Sequence, residues 1–101
     1  GVAVRFACAT DGCRPHVYDE FWSDDPVDVA AEYAELCDER WGEGPSKRMV
    51  FVRDLDDPAA RIIAVSVDYE MEPVYSGAEC DDEPTASVIE DIDAMVKDGG
   101  P

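Results

Sequence analysis

The sequence predicts an α+β fold: an antiparallel sheet of three to four strands with two helices packed on it. Three observations carry this. Two segments alternate apolar and other residues with a period of two, and one of them joins a neighbouring apolar run through a short acidic turn, as a hairpin does. Two other segments repeat their apolar residues at helical spacing behind recognisable start signals. Finally, the order strand, strand, helix, strand, strand, helix contains a hairpin that must be antiparallel, and helices stacked on such a sheet are its natural cover.

The first strand is Val2–Ala9. Val2, Val4, Phe6 and Cys8 share one face, and Ala3, Arg5, Ala7 and Ala9 the other, which reads as half-buried. Thr10-Asp11-Gly12 is a turn. His16–Trp22 is read as a second, short strand.

Ser23-Asp24-Asp25-Pro26 starts a helix, with Asp25 as the N-cap and Pro26 at the first helical position. The helix is expected to reach about Trp41, with Gly42 beyond it. Its apolar stripe is read as Val27, Ala30, Ala31, Ala34, Cys37 and Trp41. Val29, Tyr33 and Leu36 fall off that stripe, so either two sides are buried or an apolar patch faces a partner.

After the loop Gly42-Glu43-Gly44-Pro45, the strand Lys47–Leu55 is apolar on both faces through Met49-Val50-Phe51-Val52 and is expected to be central. Asp56-Asp57-Pro58 turns into the next strand, where Ile63, Val65, Val67, Tyr69 and Met71 alternate with their neighbours. Pro73 ends it or confines it to an edge. Ser76–Pro84 reads as an acidic loop. Ser87 with Glu90 makes a capping box for a final helix whose stripe is Ile89, Ile92 and Val96.

All of this fits one acidic domain over residues 1–101. The 46% hydrophobic content in periodic runs excludes a disordered acidic tail. No apolar run approaches the length of a membrane span. The chain shows no secretory signal, so a cytoplasmic setting is expected, that of a host cell if the gene is a phage's.

The charge is the dominant functional signal. Twenty-five acidic residues face eight basic ones, for a net charge of −17. Such a chain repels nucleic acid and anionic membranes and is drawn to basic surfaces. It should also gain stability as salt screens its self-repulsion.

The acids gather in three places. Asp28, Glu32, Glu35 and Glu39 form a helix ridge, with charges about 4.5–6 Å apart along the axis. Asp68, Glu70 and Glu72 form a row on one strand face, spaced about 6.7 Å. Asp81, Asp82 and Glu83 crown a loop. A partner that lines a groove with Arg and Lys to hold the phosphates of nucleic acid would meet a decoy. The bland alternative is a solvated acidic surface, as on a structural or accessory protein of a phage or a halophile.

The cysteines, Cys8, Cys13, Cys37 and Cys80, leave three alternatives open. In a reducing cytosol they are free thiols. They can instead form disulfides. Cys8, Cys13 and His16, with Cys37 completing the set, also have the residue types of a Cys3His zinc site, although paired CxxC knuckles are absent. No metal or other cofactor is assigned.

Nothing points to catalysis. His16 has no nucleophile motif beside it, and the glycines do not form a phosphate-binding loop. The chain is therefore expected not to be an enzyme.

In size, charge and α+β build the chain resembles the small acidic nucleic-acid mimics made by phages, among them many anti-CRISPR proteins. The resemblance lies in composition over the whole chain and includes no motif. It implies an inhibitor that binds stoichiometrically to a basic nucleic-acid-binding protein or complex, such as a CRISPR effector, and occupies its PAM-reading or guide–target channel.

Overall fold

The computed structural model describes residues 4–10, 13–41, 48–57, 59–71 and 74–99, with side chains placed except at 38–41, 69–71, 74, 98 and 99. The elements are β1 (Val4–Ala9), β2 (His16–Phe21), α1 (Pro26–Trp41), β3 (Arg48–Asp54), β4 (Ile63–Met71), β5 (Val74–Cys80) and α2 (Ala86–Gly99).

The strands form one five-stranded sheet in the order β2-β1-β3-β4-β5, and every neighbouring pair is antiparallel. Since β1 is antiparallel to both β2 and β3, those two run in the same direction on either side of it. Strands running in the same direction cannot be joined by a tight turn and need a crossover, which α1 supplies.

The expected sheet of three to four strands is one strand short. The missing strand is β5, which occupies most of the segment expected to be an acidic loop. It pairs with β4 from Ala64↔Cys80 to Met71↔Val74. Tyr75-Ser76-Gly77-Ala78 lacks the apolar alternation that marks a strand, and Gly77 stands where a larger residue would not fit. A Cβ built on Gly77 would stand 3.1 Å from Cγ1 of both Val27 and Val65. The glycine thus lets α1 lie close against the sheet.

The helices cover opposite faces. On one side Val29, Ala30, Tyr33, Ala34 and Cys37 of α1 bury against Val4, Phe6, Cys8, Phe21, Val50, Val52, Val65 and Val67. On the other, Val88 and Ile92 of α2 bury against Ala7, Ala9, Phe51 and Ala64, with Met49, Leu55, Ile62, Cys80, Met95 and Val96 at the margin. β1 is consequently buried on both faces rather than half-buried, since Ala7, Cys8 and Ala9 have no exposed surface. β3 is central, as its two-sided apolar pattern required.

Local chemistry fixes the ends. Asp25 caps α1: its Oδ1 accepts from the Val27 N–H at 2.9 Å, and its carbonyl accepts from the Asp28 N–H at 3.1 Å. The cap of α2 is Thr85, not Ser87, because the Thr85 hydroxyl oxygen accepts from the Val88 N–H. The β3–β4 turn is tied by two aspartates bonding two residues ahead, Asp54 to the Asp56 N–H and Asp57 to the Ala59 N–H. Asp56 then clasps β1. It accepts from the Arg5 N–H at 3.1 Å and from Arg5 Nε at 2.9 Å.

Candidate acidic docking surface

The acidic ridge of α1 is a consequence of which face the helix buries. Val29, Ala30, Tyr33, Ala34 and Cys37 span one side of the helix at 100° per residue. The centre of the opposite side falls on Asp28, Glu32, Glu35 and position 39. Glu32 is exposed, while Asp28 and Glu35 are half-buried. The side chain of Glu39 lies outside the described residues. Asp28 accepts from the Ser23 hydroxyl at 2.7 Å, which fixes the start of the ridge. No Lys or Arg occurs between Pro26 and Cys37 of the helix itself.

This phase corrects the apolar stripe read from the sequence. Tyr33 is not an off-stripe anchor for a partner: it is fully buried, and its hydroxyl donates to the Arg14 carbonyl. Leu36 is half-buried, and the Trp41 side chain lies outside the described residues. Among the described residues the large exposed apolar side chains are Trp22, 73% exposed and stacked on Phe21 with ring centroids 5.0 Å apart, and Ile89. For α2, Val88 takes the buried place expected of Ile89.

The second cluster lies on the other side of the molecule. Asp68 follows the parity of Ala64 along β4 and stands opposite Ser76, which puts it on the α2 face, exposed. The side chain of Glu70 and all of Glu72 lie outside the described residues. The third cluster, Asp81, Asp82 and Glu83, is exposed in the segment that leads from β5 to α2. Glu90 and Asp93 add to it on the outer side of α2, also exposed. The described acids of the helix ridge and Asp68 therefore do not merge into one plane: they lie on opposite sides of the sheet, and the loop cluster follows the end of β5.

The cysteines resolve differently from the expectation of free thiols. Cys13 and Cys37 form a disulfide, with their Cα atoms 6.5 Å apart. It pins the β1–β2 connection to α1, beside the bond from Tyr33 to Arg14. Disulfides belong to oxidising compartments, so the thiol argument for a reducing cytosol falls away for this pair. The bond also removes two of the four candidate zinc ligands. Among the described residues no group of three or more His, Cys, Asp or Glu is placed to hold a metal ion.

Cys8 is fully buried, and burial pushes its thiol far above the ordinary range. Cys80 is half-buried, and its thiol meets the Met49 sulfur at 3.2 Å. Burial likewise raises both Tyr18 and Tyr33. For Tyr18 the nearby Cys8, Glu32 and Glu35 add to the effect.

No described helix is long and apolar enough to cross a membrane. No family profile matches the chain, and no curated protein or solved structure was found to be similar to it.

Proposed function

We propose that this chain is a non-catalytic acidic binding protein that occupies the basic, nucleic-acid-binding surface of a partner protein or complex, of which a CRISPR effector is an example. The observation that carries the reading is the α1 ridge. Asp28, Glu32 and Glu35 stand opposite a fully packed helix face, so their carboxylates are held on a rigid rod rather than on a mobile tail. Rigid spacing is what a row of Arg and Lys side chains laid out for phosphates can read.

Displacement of labelled duplex DNA from purified nucleic-acid-binding effectors tests it. The chain should displace the DNA, less so as salt rises. The triple reversal Asp28→Lys, Glu32→Lys, Glu35→Lys should weaken displacement by about a hundredfold, on the order of 1 kcal/mol per contact. Unchanged displacement by the reversed protein would sink the reading.

One observation favours a second reading, a structural or accessory protein with a generally solvated acidic surface: the acids occupy both faces of the molecule. Melting against salt separates the two. A fold adapted to high salt is unfolded near 0.1 M, whereas a binding protein of ordinary cytoplasm is folded there.

A further inference from the structure

Both edges of the sheet carry the usual guards, a preceding proline, an exposed acid and a register shift, but at β5 all three lie toward the ends of the strand. β2 at one edge follows Pro15, carries Asp19 and Glu20 exposed, and shifts register against β1 between Val4 and Phe6. Charge, proline and irregular register are the usual means of stopping another strand from adding on. Among the described residues β5, at the other edge, has β4 as its only sheet neighbour; Pro73 precedes it in the sequence, and its register against β4 shifts between Tyr69 and Met71. Tyr75-Ser76-Gly77-Ala78 is uncharged and free of proline. Its pairing with β4 is regular from Tyr69↔Tyr75 to Ala64↔Cys80.

Acids surround this edge. Glu79 is exposed on the strand itself, and Asp81, Asp82 and Glu83 follow directly. On one face Val27 of α1 packs against Gly77. On the other face Asp68 lies opposite Ser76. No basic residue occurs between Val74 and Pro84.

We propose that the outer edge of β5 receives an extended, Arg- and Lys-rich segment of the partner as a sixth strand. The inference rests on the basic-partner reading and adds to it the element that is bound and the form of what binds. Backbone hydrogen bonds supply the register, and the flanking carboxylates select the charge. A sixth strand lies about 9.6 Å from β4, two strand spacings away. An arginine on its α2 side therefore reaches toward Asp68, and one on its α1 side lies next to Glu79, which shares the α1 face with Val65. A second copy of this chain is the wrong occupant, because pairing two β5 edges would set these acids against their own duplicates, at −17 per chain.

The test uses the 101-residue chain and a synthetic peptide of alternating arginine and valine, about eight residues long to match β5. Binding is followed by titration and by amide hydrogen exchange. The expected result is slowed exchange at alternate residues of β5. The same peptide N-methylated at every amide keeps its charge and loses its donors, and it should bind about tenfold more weakly or worse. Ala78→Lys, at an exposed position, should weaken the unmethylated peptide several-fold and leave the melting temperature unchanged.

Equal binding of both peptides, or protection confined to α1, overturns the sixth strand and leaves the acidic reading standing. Concentration-dependent protection of β5 without peptide shows that a second copy is the occupant and also overturns it. No binding of either peptide at about 50 mM salt, where screening is weak, overturns the basic-partner reading itself.

Discussion

The two faces of the sheet are built from different materials. Beneath α1 the core is valine, phenylalanine and a buried tyrosine, closed at its rim by the Cys13–Cys37 disulfide. Beneath α2 it is Ala7, Ala9 and Ala64 with one phenylalanine, and the helix sinks Val88 and Ile92 into the space those alanines leave. Connectivity explains the difference. α1 carries the crossover between β2 and β3, so it is held at both ends by strands. α2 is the last element of the described chain and is held by its own buried face and by one threonine cap. One helix is part of the frame and the other is a cover.

The strongest way to break this comparison is to empty each core in turn. Tyr33→Ala should cost about 4 kcal/mol, because it removes a fully buried ring and the bond to Arg14 together. Ile92→Ala should cost about 3 kcal/mol and loosen α2 before the sheet. Urea denaturation with amide exchange reads both. If the Ile92 variant loses protection uniformly across the sheet, α2 belongs to the frame after all.

Next comes the rim. The disulfide closes a sequence separation of 24, for which chain entropy gives about 3 kcal/mol. Cys13→Ser should therefore lower the melting temperature by roughly 12–24 °C. A variant that melts with the wild type would show that the bond does not brace α1.

The fit of α1 on β5 is a smaller effect. Gly77→Val drives two methyls into Val27 and Val65 and should cost about 2 kcal/mol. Gly77→Ala should cost less, since the two valines need yield only a few tenths of an ångström.

The smallest effect lies in acid. Hydrogen bonds from Arg5, first from its side chain and then from its backbone, hold the Asp56 carboxyl below the usual carboxylate range. A folded-state value below the unfolded one stabilises above about pH 4, and that stabilisation fades as pH falls through the lowered value. Asp56→Asn should therefore be slightly less stable than the wild type at pH 7, with the two stability curves converging in acid. The pair is exposed, so the gap should be small and should shrink with salt. Parallel curves would mean that Arg5 does not single out Asp56.

Much of this frame can be read along the chain. The Asp25-Pro26 start of α1 and the β3–β4 hairpin are written in local chemistry, and local chemistry decides them. The phase of α1 is harder to read. Alanines at 30, 31 and 34 suit either of two stripes, and Tyr33 looks amphipathic until the fold buries it. β5 escapes because Gly77 is needed for clearance under α1 and its neighbours Ser76 and Ala78 on the other face are small, which removes the alternation that would mark a strand. The disulfide escapes because a separation of 24 residues says nothing of proximity until α1 folds back over the β1–β2 connection. The helix ridge of the candidate surface is legible because i, i+4, i+7 spacing fixes a face. The separation of that ridge from Asp68 is not, since it depends on which side of the sheet each helix chooses.

The four sulfurs have a practical consequence. Cys13 and Cys37 are bonded to each other, and Cys8 is sealed in the core as an inert thiol. A maleimide added to the native, oxidised protein therefore meets a single reactive partner, Cys80, at the last residue of β5. The molecule comes with one natural attachment point for a fluorophore, beside the edge and the acidic segment where a docking event would be felt.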